Sequence, residues 1–110
     1  MNDEQAIEQN QATFVERGNA GDTDGVLMCC TDDFVMMPPN APAVVGAAAV
    51  RAWFGEFFEH FTADLTTTTD EIVVDGDLAY ARRSFAWTVT PKAGGEPIRE
   101  TGKTVLVYRR

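Results

Sequence analysis

Residues 47–61 read AAAVRAWFGEFFEHF. Val50, Trp53, Phe54, Phe57, Phe58 and Phe61 recur at steps of 3, 1, 3, 1 and 3, the stripe of an amphipathic helix laid on a core. A stripe with five rings needs a wide apolar partner, and one face of a sheet is the simplest. Burying those rings contributes on the order of 10 kcal/mol before chain entropy is subtracted.

Outward from that helix the period changes. DLTTTTDEIVV (64–74) is rich in β-branched residues, and Asp75-Gly76 is a two-residue hairpin signal. LAYARRSFAWTVT (78–90) reads as a long strand, PKAGG (91–95) as a turn, and EPIRETGKTVLVYRR (96–110) as a further strand with Gly102 as a bulge. Upstream, Asp3 caps a helix over residues 4–17 that buries Ile7, Phe14 and Val15. Gly18, Asn19 and Gly21 end it, and Asp22 starts a short helix with Val26, Leu27, Cys29 and Cys30. Phe34 to Met37 is a short strand stopped by Pro38 and Pro39, which cannot donate to a ladder. Three helices followed by antiparallel strands make one α+β domain over residues 1–110, with helices on one sheet face.

The charge of −8 repels a phosphate backbone, so nucleic acid and anionic membrane surfaces are not expected partners. No apolar run spans a membrane, and the polar, acidic start lacks the pattern of a signal peptide, so the expected location is cytoplasmic. Cys29 and Cys30 are adjacent, a spacing that suits reduced, buried thiols better than a disulfide or a metal site. His60 is the single histidine, without partner residues in metal spacing; no metal and no cofactor are expected. Asp32 and Asp33 read as turn and cap residues.

Alternation divides strand 78–90 into two rows. One holds Ala79, Ala81, Arg83, Phe85, Trp87 and Val89, the other Tyr80, Arg82, Ser84, Ala86 and Thr88. Neither row is purely polar. A sheet with helices on one side and apolar residues on both calls for a cover on the other side. A second copy of the chain, docked through Phe85, Trp87, Val105 and Val107, is the expected one.

Taken in order, NAGDTDGVLMCCTDDFVMMPP, VVGAAAVRAWF, VDGDLAYARRSF and GKTVLVYRR resemble the NTF2-like superfamily, in its SnoaL-like and ketosteroid-isomerase-like branch. The resemblance runs from about residue 4 to the end. It implies a cystatin-like cone, in which a curved, mostly antiparallel sheet wraps around the long helix behind three N-terminal helices, leaving an apolar pocket between. The family carries one more strand beyond the position of Arg109, so with the sequence ending at Arg110 an open sheet edge is expected.

In the isomerases a tyrosine on the first helix and an acid on the last strand polarise a carbonyl, and a second acid moves the proton. The matching positions hold Phe14, Leu106 and Pro38 (or Met37, one residue earlier), none of which titrates. The resemblance therefore does not carry that chemistry to this chain. It places Tyr80, Arg82 and Ser84 on the pocket side, where a charged Arg82 needs a carboxylate, a ligand anion or water. Arg82 with Tyr80 and Tyr108 is expected to grip the polar end of a small apolar ligand, with Phe14, Met36, Met37, Trp53 and Leu106 as apolar wall. The functions that fit are a small-molecule-binding domain, an isomerase-, cyclase- or hydrolase-like enzyme using other residues such as His60, and a structural dimerisation domain.

Overall fold

Asn2 sets the start of the first helix. Its side chain accepts from the Gln5 backbone N–H at 2.8 Å, while the Gln5 side chain accepts from the Asn2 N–H at 2.9 Å. This capping box sits one residue ahead of the expected cap at Asp3. In the computed structural model, which describes residues 2–110, α1 spans Asp3–Asn19. It runs through Gly18, so the expected stop there is corrected: the turn is made at Gly21, with φ of 70°. Asp22 caps α2 (Thr23–Leu27) by accepting from the Gly25 N–H at 2.9 Å, and Cys29 and Cys30 lie just past that helix.

Two short strands, β1 (Val35–Met36) and β2 (Val44–Val45), pair antiparallel on either side of the proline loop. Then α3 (Ala47–His60) feeds directly into β3 (Phe61–Asp75), followed by β4 (Leu78–Pro91) and β5 (Ile98–Arg109). The three long strands form one antiparallel sheet in sequence order. The hairpin loop between β3 and β4 is Gly76-Asp77, one residue later than the sequence signal, with φ of 62° at Gly76. Helix α1 lies across β3, α2 bridges α1 and α3, and α3 rests on β2 and the start of β3. The core between them holds Ile7, Val26, Val50, Phe58, Ala81 and Val89. The layers are those of α+β, with helices on one face of a curved antiparallel sheet.

The aromatic stripe of α3 is only partly covered. Phe58 is buried, whereas Trp53, Phe54, Phe57 and Phe61 stay half-buried, so the energy expected of five buried rings is an upper bound. Trp53, Phe57 and Trp87 form a stack of near-parallel rings, with centroid spacings of 5.4 and 6.1 Å.

Which row of β4 faces the helices is settled by burial. Ala81, Arg83 and Val89 are buried, while Arg82 and Ala86 are exposed. Register then fixes the rest: Tyr80 pairs with Val107 and Arg82 with Val105, whereas Ala79 pairs with Tyr108 and Ala81 with Leu106. The expected faces are therefore corrected. Tyr80, Arg82 and Ser84 lie on the outer face, and Phe85 and Trp87 lie on the helix side with Leu106 and Tyr108. Val105 and Val107 are on the outer face as expected, 64% and 73% exposed. The physical reason is the side-chain period of two, which makes any wrong pairing of rows invert a whole face.

The sheet's irregularity also lies elsewhere than expected. A bulge falls between Thr69 and Glu71 on β3, not at Gly102. Gly102 sits in register opposite Phe85, whose ring atoms would lie 2.8 Å from an added Cβ. Glycine is there so that the ring can lie on the backbone of the neighbouring strand. The free edge of β3 is closed locally by Asn19, whose amide donates to the Leu65 carbonyl at 3.0 Å and accepts from the Leu65 N–H at 2.8 Å.

Replacing Gly102 by alanine is expected to push Phe85 off this site and cost about 1–3 kcal/mol. Urea denaturation of Gly102→Ala beside wild type measures it, and an unchanged midpoint refutes the packing role.

Candidate functional site

Helix periodicity brings Asp3, Ala6, Ile7 and Asn10 to one side of α1, facing the far end of the β3–β4 hairpin. Val74, Leu78 and Ala79 from the hairpin and Tyr108 from β5 complete the walls of a cavity of about 290 Å³. That is near the lower end of the range for small-molecule sites, roughly 300–1,000 Å³. Asp77, Arg109 and Arg110 stand at its rim with Asp3. A larger concavity, about 410 Å³, lies on the opposite face of the sheet, lined by Thr66, Thr68, Ser84, Ala86, Thr101 and Lys103. The smaller one has the stronger claim as a ligand site, because it lies between α1 and the sheet and sets Ala6, Ile7, Val74, Leu78 and Ala79 beside a charged rim.

Behind Tyr108 lies a buried polar layer. Arg83 is completely buried and donates from one terminal nitrogen to the Tyr108 hydroxyl at 2.9 Å, and from the other to the Glu8 carboxylate at 3.2 Å. The guanidinium also sits 5.8 Å from the centre of the Tyr108 ring. The same Glu8 oxygen accepts from the Thr69 hydroxyl at 2.7 Å, and Gln11 is buried one turn further along α1. Arg83 Nε and Gln11 Oε1 are buried without partners among the described residues. Burial pushes the Tyr108 hydroxyl above its ordinary pKa, a shift that Arg83 partly offsets, so at neutral pH the phenol keeps its proton.

At the rim, Arg110 holds Asp3 with two hydrogen bonds of 2.6 and 2.7 Å and lies 3.5 Å from Asp77, while Arg109 holds Asp33 at 2.9 Å. The arginine bonds keep both aspartates below their ordinary pKa. Since the folded values are depressed, whatever these exposed pairs contribute is present at neutral pH and is lost as acid protonates them. Cys30 offers no nucleophile: burial, and secondarily Cys29, raises its pKa to about 11.

The residues expected to bind ligand are not brought together. Tyr108 and Leu106 face the helix layer, where Phe14 packs edge-on against Phe54 at 6.1 Å and Trp53 stacks on Phe57. Met36 is half-buried and Met37 is 79% exposed. Tyr80 and Arg82 point the other way and share Glu71, at 3.0 and 2.9 Å, while Ser84 donates to Asp70 at 2.6 Å. Arg82 therefore meets a carboxylate, one of the three partners foreseen for it, but on the solvent side of the sheet. The arginine that does enter the interior is Arg83. Its signal was in the sequence: it is the one charge in a row otherwise made of Ala79, Ala81, Phe85, Trp87 and Val89.

The profile of the SnoaL-like domain matches residues 12–110. The chain belongs to the SnoaL-like family. Solved structures agree on its NTF2-like fold. A conserved protein from Planctomyces limnophilus DSM 3776 superposes with a TM-score of 0.90 at 27% identity, over 98% of this chain and 84% of that one. A ketosteroid isomerase-like protein from Erwinia carotovora atroseptica SCRI1043 gives 0.86 at 29% identity, over 99% and 85%. An NTF2-like superfamily protein from Salmonella enterica serovar Typhimurium LT2 gives 0.79 at 17% identity, over 96% and 78%. No curated protein matches the sequence. Within this SnoaL-like domain, Phe14 and Leu106 line the helix side and Pro38 sits in the loop after β1, and none of the three carries a titrating group.

The buried layer is asymmetric, because the Arg83 side chain has no exposure whereas that of Glu8 is half exposed. Glu8→Ala leaves an enclosed charge without its partner and is expected to cost about 3 kcal/mol, whereas Arg83→Met frees Glu8 to turn to water and costs less. Chemical denaturation of the two variants ranks them, and the reverse order refutes the assignment.

Proposed function

We propose that this SnoaL-like domain binds a small, largely apolar molecule in the cavity between α1 and the β3–β4 hairpin, with Tyr108 as its polar contact. The observation that carries the reading is the junction of an apolar wall (Ile7, Val74, Leu78, Ala79) with a phenol held by a buried arginine. Binding is put ahead of catalysis because the carboxylates at and around the cavity already face cations: Asp3 and Asp77 at its rim face Arg110, Asp33 faces Arg109 and Glu8 faces Arg83. The arginine bonds hold Asp3 and Asp33 below their ordinary pKa, which makes them poor proton shuttles. Two free thiols suit a reducing compartment, and we place the domain in the cytoplasm.

The outer face supports a second part of the proposal, a homodimer. Register aligns Val73, Tyr80 and Val107 across all three strands, with Val105 beside them, and the three valines are exposed. A patch of this kind flanked by the Arg82–Glu71 pair offers both apolar area and charges of both signs to an identical partner. Phe85 and Trp87 take no part, since they face the helices.

Naphthalene, an uncharged bicyclic, is a suitable probe of occupancy. Wild type is expected to broaden the proton resonances of naphthalene; Ala79→Phe, which fills the cavity, should abolish that broadening, and Arg82→Leu on the outer face should leave it intact. No broadening with wild type, or broadening that survives Ala79→Phe, refutes this site. For the dimer, sedimentation equilibrium of wild type and Val107→Glu is decisive: a wild type already monomeric at micromolar concentration overturns the proposal.

A further inference from the structure

Away from the cavity, the last turn of α3 gathers Glu56, Glu59 and His60. One donor atom from each lies within 4.8 Å of the other two. His60 Nε2 is 3.3 Å from Glu56 Oε1, one helical turn back along the same side of the helix. Two ligands of a tetrahedral zinc ion, each bonded at about 2.0–2.1 Å, stand roughly 3.3–3.4 Å apart. The Glu56–His60 pair already has the spacing of two donors on one ion. Glu59 is exposed, so rotation of its side chain is enough to bring in a third.

The charge at this end is unmet. Asp3, Asp24, Asp33 and Glu71 each face an arginine, whereas among the described residues neither Glu56 nor Glu59 pairs with an arginine or lysine. Two carboxylates three residues apart on a helix repel each other, and the C-terminal end of the helix adds negative partial charge of its own. A cation relieves both, in a chain that carries eight net negative charges. The backbone beneath is held in place. The His60 carbonyl accepts the Lys92 N–H at 2.9 Å, and the Phe57 carbonyl accepts the N–H of Phe61, where α3 passes directly into β3. Donors mounted on a fixed helix end need little rearrangement to converge on one ion.

We infer that Glu56, Glu59 and His60 bind a divalent ion of the zinc type, with water completing its shell, and that the ion staples the last turn of α3 where the helix becomes a strand. This departs from the expectation of no metal, which looked at His60 without the turn that brings the two glutamates to it. An imidazole beside two carboxylates suits zinc, nickel or copper; magnesium and calcium call for oxygen donors throughout. The inference stands apart from the reading of the cavity between α1 and the sheet, which shares none of these residues.

Calorimetric titration of the untagged full chain with zinc chloride at neutral pH is expected to show one equivalent bound, undisplaced by millimolar calcium or magnesium. His60→Ala deletes the nitrogen donor and should weaken zinc at least about tenfold, the smallest loss usual even for a group that only supports a metal ligand. Glu56→Gln, checked for folding by circular dichroism like the first variant, should weaken it as well. Glu16→Gln, which removes an exposed acid from α1, should leave it unchanged. Saturating zinc should raise the thermal midpoint of wild type and leave that of His60→Ala where it was. Copper(II) reports the place: Trp53 precedes His60 by two helical turns, about 10 Å along the axis, so one equivalent should quench tryptophan emission in wild type and spare it in His60→Ala. Absence of zinc binding overturns the inference. So does equal affinity in wild type and His60→Ala, which assigns the ion to other donors such as the Cys29 and Cys30 thiols, and so does displacement by calcium, the mark of an unselective acidic patch.

Discussion

A fully enclosed guanidinium on the middle strand fixes how α1 and the sheet sit together. Arg83 reaches across 75 residues of sequence to Glu8 and across to the neighbouring strand for Tyr108. An ion in that place is costly to desolvate and tolerates few arrangements. The helix must present Glu8 toward Thr69, and β5 must present Tyr108 on the helix side, or the charge is stranded. Apolar packing at Ile7, Ala81 and Val89 supplies the attraction between the layers. The arginine restricts which of the many apolar arrangements is adopted.

The cavity follows from that restriction. With Tyr108 held by Arg83 and the end of β5 tied back by Arg110 to Asp3, the hairpin end and the first turns of α1 are kept apart as well as together. Side chains between them are modest, Ala6, Ile7, Val74, Leu78 and Ala79, and they do not fill the gap. The isomerase-like relative shows the same fold; in this chain the positions of Phe14, Pro38 and Leu106 carry no titrating group, while Tyr108 on β5 lies beside a buried cation. A shared architecture does not by itself set the chemistry of a site, because function resides in the residues grafted onto the frame.

Most of the fold was legible in the sequence, and the reason is periodicity. The α3 stripe, the β-branched run of β3, the Asp-Gly turn and the proline stop each carry a local signal, and all appear within a few residues of where they were expected. The site was less legible because it depends on which row of β4 turns inward. Both rows mix apolar and polar residues, with Tyr80, Arg82 and Ala86 against Ala81, Arg83 and Phe85, so alternation alone does not choose. Cross-strand register decides, and that is a long-range property: Tyr80 goes with Val107, not with Tyr108. The bulge at Asp70 shifts the phase of β3 as well, moving the inner row from odd to even positions, and no glycine marks it. Gly102 was visible but its meaning was not, since the ring it accommodates lies 17 residues away in sequence.

The ring stack at the α3–β4 seam makes the molecule's own light emission a local gauge. The chain has two tryptophans, and both belong to this stack, Trp53 on the helix and Trp87 on the strand, with Phe57 between them. Trp87 further donates its indole N–H to Glu100 on β5 at 3.1 Å, which couples its surroundings to the neighbouring strand. Intrinsic fluorescence therefore records whether α3 rests on the sheet, and is blind to the valine patch on the reverse side, where no indole resides.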